Sequence, residues 1–458
     1  MGSDPQYARW PDLSLAQDIF FVKHIPQHRQ NAIKKLEENI TKHKMAPLYR
    51  YLAHTQDGIL SNQISWNQNL YDELKHQNDE ELEAFQKEED EAAEKAGETE
   101  VHAARGKRAE FWSRVGDKEK AIAAHETLFE KTGVLGTKID LVLAIIRIGL
   151  FFSDKFLVKK QVDRAKTLIE SGGDWDRRNR LKAYQGLHLL TIRSYNLAAP
   201  LLLDSLSTFT SYELCSYSSL VVYAVLAGSV SLKRVDFKSK VVDAPEIKAI
   251  IGSGEDRLAA FSGAISAGPG AGDEEMEDAP VVSSATPKPT SNVVNLTTIG
   301  TANEGQVDTE TTVDFTPLAG LVRSLYEGQY QNFFLALAAV EENFLSLDRY
   351  LYEHRGWFVR EMRLRGYQQL LQSYRVVGLK SMAGAFGVSI DYLDRDLAKF
   401  IAADRIPCTI DRVQDIIETN RPDDKNKQYT DVVKQGDALI TKLQKYGQAV
   451  RLRGSERG

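Results

Sequence analysis

The sequence predicts a mainly α protein: a tetratricopeptide-like α-solenoid of helix pairs, then a winged helix, then a C-terminal helix. Three observations carry this. Helical hairpins recur from Ala103 onward, as in AEFWSRVGDKEKAIAAHETLFEKTG and LKAYQGLHLLTIRSYNLAAPLLLDSL. Residues Tyr374 to Pro422 set out a helix, a Gly turn, a second helix and two short extended runs. Residues Asn426 to Arg451 place Val432, Gly436, Leu439, Leu443, Tyr446 and Val450 at alternating steps of four and three, a heptad seam.

The elements follow in order. Residues 1–65 read as an N-terminal helical segment, broken by polar turns such as His24-Ile25-Pro26. Residues 66–252 read as an acidic helix followed by the repeats. Between Asp72 and Glu100 there are 13 acidic residues against Lys75, Lys87 and Lys95, and Leu70, Leu74, Leu82 and Phe85 form one thin apolar stripe. Such a helix is solvated on most sides or meets a basic partner. In the repeats Trp112 precedes a Gly116-Asp117 turn, and Ala121, Ala165 and Ala199 are matched as close-packing positions. The charge-free run Leu214–Leu232 is expected to be a buried core helix: five serines and a short apolar centre argue against a membrane span.

Residues 253–313 change composition. Gly, Ala, Ser, Thr and Pro dominate, with an acidic knot at Asp273–Asp278, which predicts a disordered insert. Its GPGAG has no preceding strand, so a phosphate loop is discarded. Residues 314–422 are expected to hold the last helical repeats and the winged helix (374–422), and 423–458 the bundle helix and tail. In the winged helix, Leu379, Met382, Ala383 and Phe386 share one helical face. Gly387 makes the turn, and Ile390, Leu393, Leu397 and Ile401 line the second helix. That layout raises nucleic-acid binding. The second helix, however, opens with Asp391, Asp394 and Asp396, which repel phosphates. Protein docking is the favoured use. The extended run with Ile406, Cys408 and Ile410 supplies a strand edge for a neighbour. The seam residues Val432, Leu439, Leu443, Tyr446 and Val450 supply a bundle contact.

The formal net charge of −6 offers no general attraction to nucleic acid or anionic membranes. The two cysteines, Cys215 and Cys408, read as buried thiols of a reducing compartment, and the N-terminus lacks a signal-peptide pattern. None of the nine histidines forms H-x-H or H-E-x-x-H. Cys-x-x-Cys, G-x-S-x-G and the P-loop pattern are missing too. The expectation is therefore no enzyme, no cofactor and no metal.

Solenoid, winged helix and trailing helix in this order resemble the PCI-domain family. The likeness is carried by PDLSLAQ (11–17), WSRVGDKEKAI (112–122), STFTSYEL (207–214), FVREMRLRGYQQLLQSYR (358–375) and ETNRPDDKNKQY (418–429). Its most specific stretch is MAGAFGVS (382–389) with FIAADRI (400–406). The family supplies scaffold subunits to the proteasome lid, the signalosome and a translation initiation factor, and these motifs are most similar to the lid type. The resemblance implies a non-catalytic scaffold in a hetero-oligomeric complex of the cytoplasm and nucleus. Its winged helix would pair with other PCI-domain lid subunits. Its last helix would join a bundle with the lid deubiquitinase and that enzyme's companion, and the proteasomal ATPases are a further candidate partner. A paralogous signalosome scaffold is the near alternative, and winged-helix binding of nucleic acid the distant one.

Overall fold

In the computed structural model, the structure describes residues 10–95, 98–252, 313–420 and 424–455. The predicted insert, with its acidic knot and GPGAG, lies outside the described residues apart from Val313.

The first helices are α1 (Leu13–His24), α2 (Arg29–Lys42) and α3 (Ala46–Ala53), followed by the acidic α4 (Gln68–Lys95) and α5 (Glu98–Val115). Leu74 and Asn78 of α4 are buried, Leu70, Leu82 and Phe85 are half-buried, and most of its other residues are exposed. Part of its charge is met inside the chain. Glu89 pairs with Arg105 of α5 at 2.7 Å, and Glu81 takes Lys44 at 2.8 Å and also Arg114. A basic partner of the acidic helix is thus its own neighbour in sequence.

The helix pairs continue with α6 (Lys118–Lys131), α7 (Leu135–Phe151), α8 (Lys155–Glu170), α9 (Trp175–Thr191), α10 (Tyr195–Ser205) and α11 (Tyr217–Ser231). Each hairpin turns through a left-handed residue: Gly116 (φ 83°), Ser153 (φ 57°) and Arg193 (φ 63°). An N-cap position follows each, at Asp117, Asp154 and Ser194, and the two aspartates accept backbone N–H groups there. These caps lie 37 and 40 residues apart, whereas the matched alanines Ala121, Ala165 and Ala199 lie 44 and 34 apart and so do not mark the repeat. Ala121 stands four residues after its cap, as does Ala198, but the equivalent place in α8 is Val158 and not Ala165. Ala121, Ala165 and Ala199 are all buried. A small residue fits at several points of a packed helical face, so alanine alone does not fix the register.

The charge-free run is helix α11, buried on every side from Leu220 to Ser229. Among the described residues, no helix is long and apolar enough to cross a membrane. Short helices α12 (Arg234–Phe237) and α13 (Pro245–Ile251) follow, and then α14 (Thr316–Glu327), α15 (Tyr330–Val340) and α16 (Arg355–Ser373).

Three basic side chains from the stretch 349–365 close the C-terminal ends of three alternate helices, α7, α9 and α11. Arg349 donates to the carbonyls of Leu150 and Phe151 on α7. His354 Nε2 lies 2.9 Å from the Thr191 carbonyl of α9, and Arg365 donates to Ser229 and Leu232 at the end of α11. Those carbonyls have no partner within their own helices, and a positive donor also suits the negative end of the helix dipole. Helix α1 holds the same stretch: Gln17 donates to the Leu347 carbonyl at 2.6 Å and accepts from the Arg349 backbone at 3.2 Å. One hydrophobic core therefore runs from Leu13 to Met362, with residues of α1, α2 and α3 inside it.

A second core runs from Leu364 to Ile417. The change of core falls inside α16, so a continuous helix joins solenoid to winged helix. That module comprises β1 (Val376–Gly378), α17 (Leu379–Phe386), α18 (Ile390–Ala402), β2 (Cys408–Asp411) and β3 (Ile416–Thr419). The chain ends with α19 (Asp424–Ser455).

Candidate assembly interface

The winged helix is built around the MAGAFG stretch. Leu379, Met382, Ala383 and Phe386 are buried on one face of α17. Gly387 then turns the chain with φ 67°, and a Cβ there would stand 2.9 Å from Gln331 Cγ, so the site takes glycine for both space and backbone. Ser389 caps α18 by accepting from the Tyr392 backbone N–H at 3.3 Å. Phe386 locks the module to the last helix pair: its ring lies 4.6 Å from Tyr330, 4.9 Å from Tyr367 and 5.0 Å from Phe334.

The sheet is antiparallel with order β1-β3-β2, so β3 is central and β1 and β2 are its edges. Register pairs Val377 with Ile417 and Ile410 with Ile417 from opposite sides. The side chains proposed as a strand contact need correction here. Ile406 and Cys408 are 2% and 4% exposed and belong to the module's own core, and Ile410 packs partly against it. An edge strand facing a core must turn alternate side chains inward. What β2 offers a neighbour is its outer backbone row, with Thr409 and Asp411 facing outward.

Two of the three carboxylates at the start of α18 are engaged within the module. Asp396 is buried, accepts from the Tyr367 hydroxyl at 3.1 Å and lies 3.6 Å from Arg363. Asp394 is held by Arg412 at 2.8 Å. Of the three carboxylates at the start of α18, Asp391 alone is exposed. The hairpin tip is where acidity shows, at Asp411 and Asp415 beside the fully presented Val413.

Helix α19 stands apart in its surface. Val432, Leu439, Leu443, Tyr446 and Val450 are 60–70% exposed. Sequence reasoning missed Val433 and Ile440, which are exposed beside them. They fall one residue after Val432 and Leu439, outside a strict heptad, and widen the seam into a stripe. A stripe of that width suits contact with more than one helix. Elsewhere Cys408 is buried and Cys215 half-buried, with burial pushing the Cys215 thiol up to about 12. Neither thiol is poised for reaction. Among the described residues, no group of three His, Cys, Asp or Glu side chains gathers as a metal site.

Comparison with known proteins fits this geometry. The model of the 26S proteasome subunit RPN7 family matches residues 67–240, the PCI domain model matches 331–421, and the RPN7/PSMD6 C-terminal helix model matches 428–450. The chain is 38% identical to the 26S proteasome regulatory subunit rpn7 of Schizosaccharomyces pombe, over 97% of each chain. It is 37% identical to the RPN7 subunit of Saccharomyces cerevisiae, over 99% of this chain and 96% of that one. Similarity to COP9 signalosome complex subunit 1 of Arabidopsis thaliana is 26% identity over 26% of each chain.

Proposed function

The chain belongs to the RPN7/PSMD6 family of 26S proteasome regulatory subunits, and on that premise we propose how it works as a scaffold of the proteasome lid. Two surfaces make the assembly contacts. The outer edge of β2 adds to the sheet of a neighbouring PCI-domain subunit through main-chain hydrogen bonds. Helix α19 enters a bundle with helices of other lid subunits, the deubiquitinase and its companion among them. The proteasomal ATPases are a further candidate partner. The protein works in the cytoplasm and nucleus and performs no chemistry itself; it holds in place the subunits that do.

The observation that carries this is the apolar stripe of α19. A single helix presenting Val432, Val433, Leu439, Ile440, Leu443, Tyr446 and Val450 to water is stable only when other helices cover it. Affinity purification with mass spectrometry tests the reading. ATPases and core-particle subunits among the co-purified proteins support the lid. Cullin-linked partners without ATPases would move the chain to the signalosome.

A further inference from the structure

We infer that the groove between α16 and α18 is a docking site for an acidic peptide segment of a partner chain. The groove has a volume of about 540 Å³ and is lined by Arg360, Arg363, Lys399 and Arg405, with Asp396 and Phe400. In a chain with an excess of carboxylates, four cations here face one lining carboxylate. That carboxylate is already engaged, since Asp396 is buried against the Tyr367 hydroxyl and Arg363. Arg405 is held by Glu361 at 2.6 Å. Arg360 and Lys399 are exposed and form no ion pair among the described residues. Arg363 reaches Tyr392 and Asp396 through its Nη atoms. Two exposed, unpaired cations beside the groove are suited to carboxylates arriving one at a time along a peptide.

Nucleic acid fits less well. A winged helix that binds duplex grips the backbone with its hairpin, and here the hairpin tip bears Asp411 and Asp415 while Arg412 is tied to Asp394. The outward side of α18 offers Ala398 and Ala402 next to Arg395, a poor surface for reading bases.

The inference rests on the module's being a protein-docking unit, yet it is tested on the isolated full chain. Fluorescein-labelled hexaglutamate is titrated at low salt and followed by anisotropy. The expected result is saturable binding that weakens about tenfold in Arg360→Glu/Lys399→Glu and is unchanged in the control Lys159→Glu/Lys160→Glu. Both altered groove positions are exposed, and a thermal melt equal to the parent's confirms that the variant is folded. Absence of saturable binding, or equal binding by the groove variant, overturns the proposal. So does tighter binding of a short DNA duplex or a phosphoserine peptide through the same two residues. Entry into the lid is read separately by truncating α19, so the groove and the assembly reading fail independently.

Discussion

Arg365 donates through Nη2 to the carbonyl oxygen of Leu232 at 2.6 Å, across 133 residues of chain. The same guanidinium also reaches the Ser229 carbonyl. Burial pulls Arg365 down to about 10, which leaves it charged at neutral pH. A buried cation with two helix-end carbonyls therefore ties the helix that carries the winged helix to the most deeply buried helix of the solenoid. Arg365→Met keeps the stem and removes the donors. It should lower stability by about 2–3 kcal/mol, the usual scale for charge-assisted hydrogen bonds. Urea unfolding checks this. Arg365→Lys should fall between the two, because an ammonium cannot span both carbonyls with a planar fork. An unchanged midpoint in the Met variant would show that the caps carry no stability.

How much of this was legible in the sequence depends on range. The winged helix was readable because its signals are local: a four-residue apolar face, a Gly turn and a Ser cap lie within fifteen residues of one another. The seam of α19 was readable for the same reason. The caps from Arg349, His354 and Arg365 were not, since each reaches a carbonyl more than 130 residues away and backbone acceptors leave no trace in side-chain patterns. The inward turn of Ile406 and Cys408 was missed for another reason. Period-2 alternation says that one set of side chains faces a core, but not which set until the helices that supply that core are placed. The acidic count on α18 misled because charge in a sequence carries no pairing, and Tyr367 and Arg412 lie far from the carboxylates they hold.

Gly116 turns the chain between α5 and α6 and lies against Leu48 of α3. Its φ of 83° is left-handed, and a Cβ there would stand 2.8 Å from Leu48 Cβ, well inside contact distance. Gly116→Ala thus combines backbone strain of about 1 kcal/mol with overpacking of about 1–3 kcal/mol. A loss of about 2–4 kcal/mol is expected in urea unfolding. Leu48→Gly removes the Cβ that the new methyl would meet, so in a Leu48→Gly background Gly116→Ala should cost the strain alone, about 1 kcal/mol. The same cost in both backgrounds would show that Leu48 is not the obstacle.

Asp18 gives a pH-dependent test. Burial raises its carboxyl to about 6, with Lys35 acting in the opposite sense. A raised carboxylate favours the protonated form in the folded state. Its contribution is therefore neutral below the unfolded value near 3.8 and becomes unfavourable as pH climbs to about 6. His125 and His188, whose pKa values burial lowers, act on stability in the other direction on acidification, so the whole-chain profile does not isolate Asp18. The difference between parent and Asp18→Asn does. The Asn variant should gain relative stability between pH 4 and pH 6 and hold that gain above it. Equal urea midpoints for both chains at pH 7.5 would mean that Asp18 is solvated like any surface carboxylate.

The α19 seam separates folding from assembly. Leu439 and Leu443 are 60% and 68% exposed, so charging them removes no packing within the chain. Leu439→Glu/Leu443→Glu should leave the urea midpoint within about 0.5 kcal/mol of the parent, as surface changes do. Two carboxylates at the centre of an interhelical seam would instead be buried without partners, at several kcal/mol, and should exclude the chain from the complex. Truncation of residues 431–458 should give the same pair of results: a folded chain that does not co-purify with lid subunits. Val433→Glu/Ile440→Glu probes the width of the stripe. If α19 meets a single partner along the strict heptad, this variant assembles normally; if it sits among several helices, it fails as the heptad variant does. Normal incorporation of the Leu439/Leu443 variant would remove α19 from the assembly surface and leave the β2 edge to carry it.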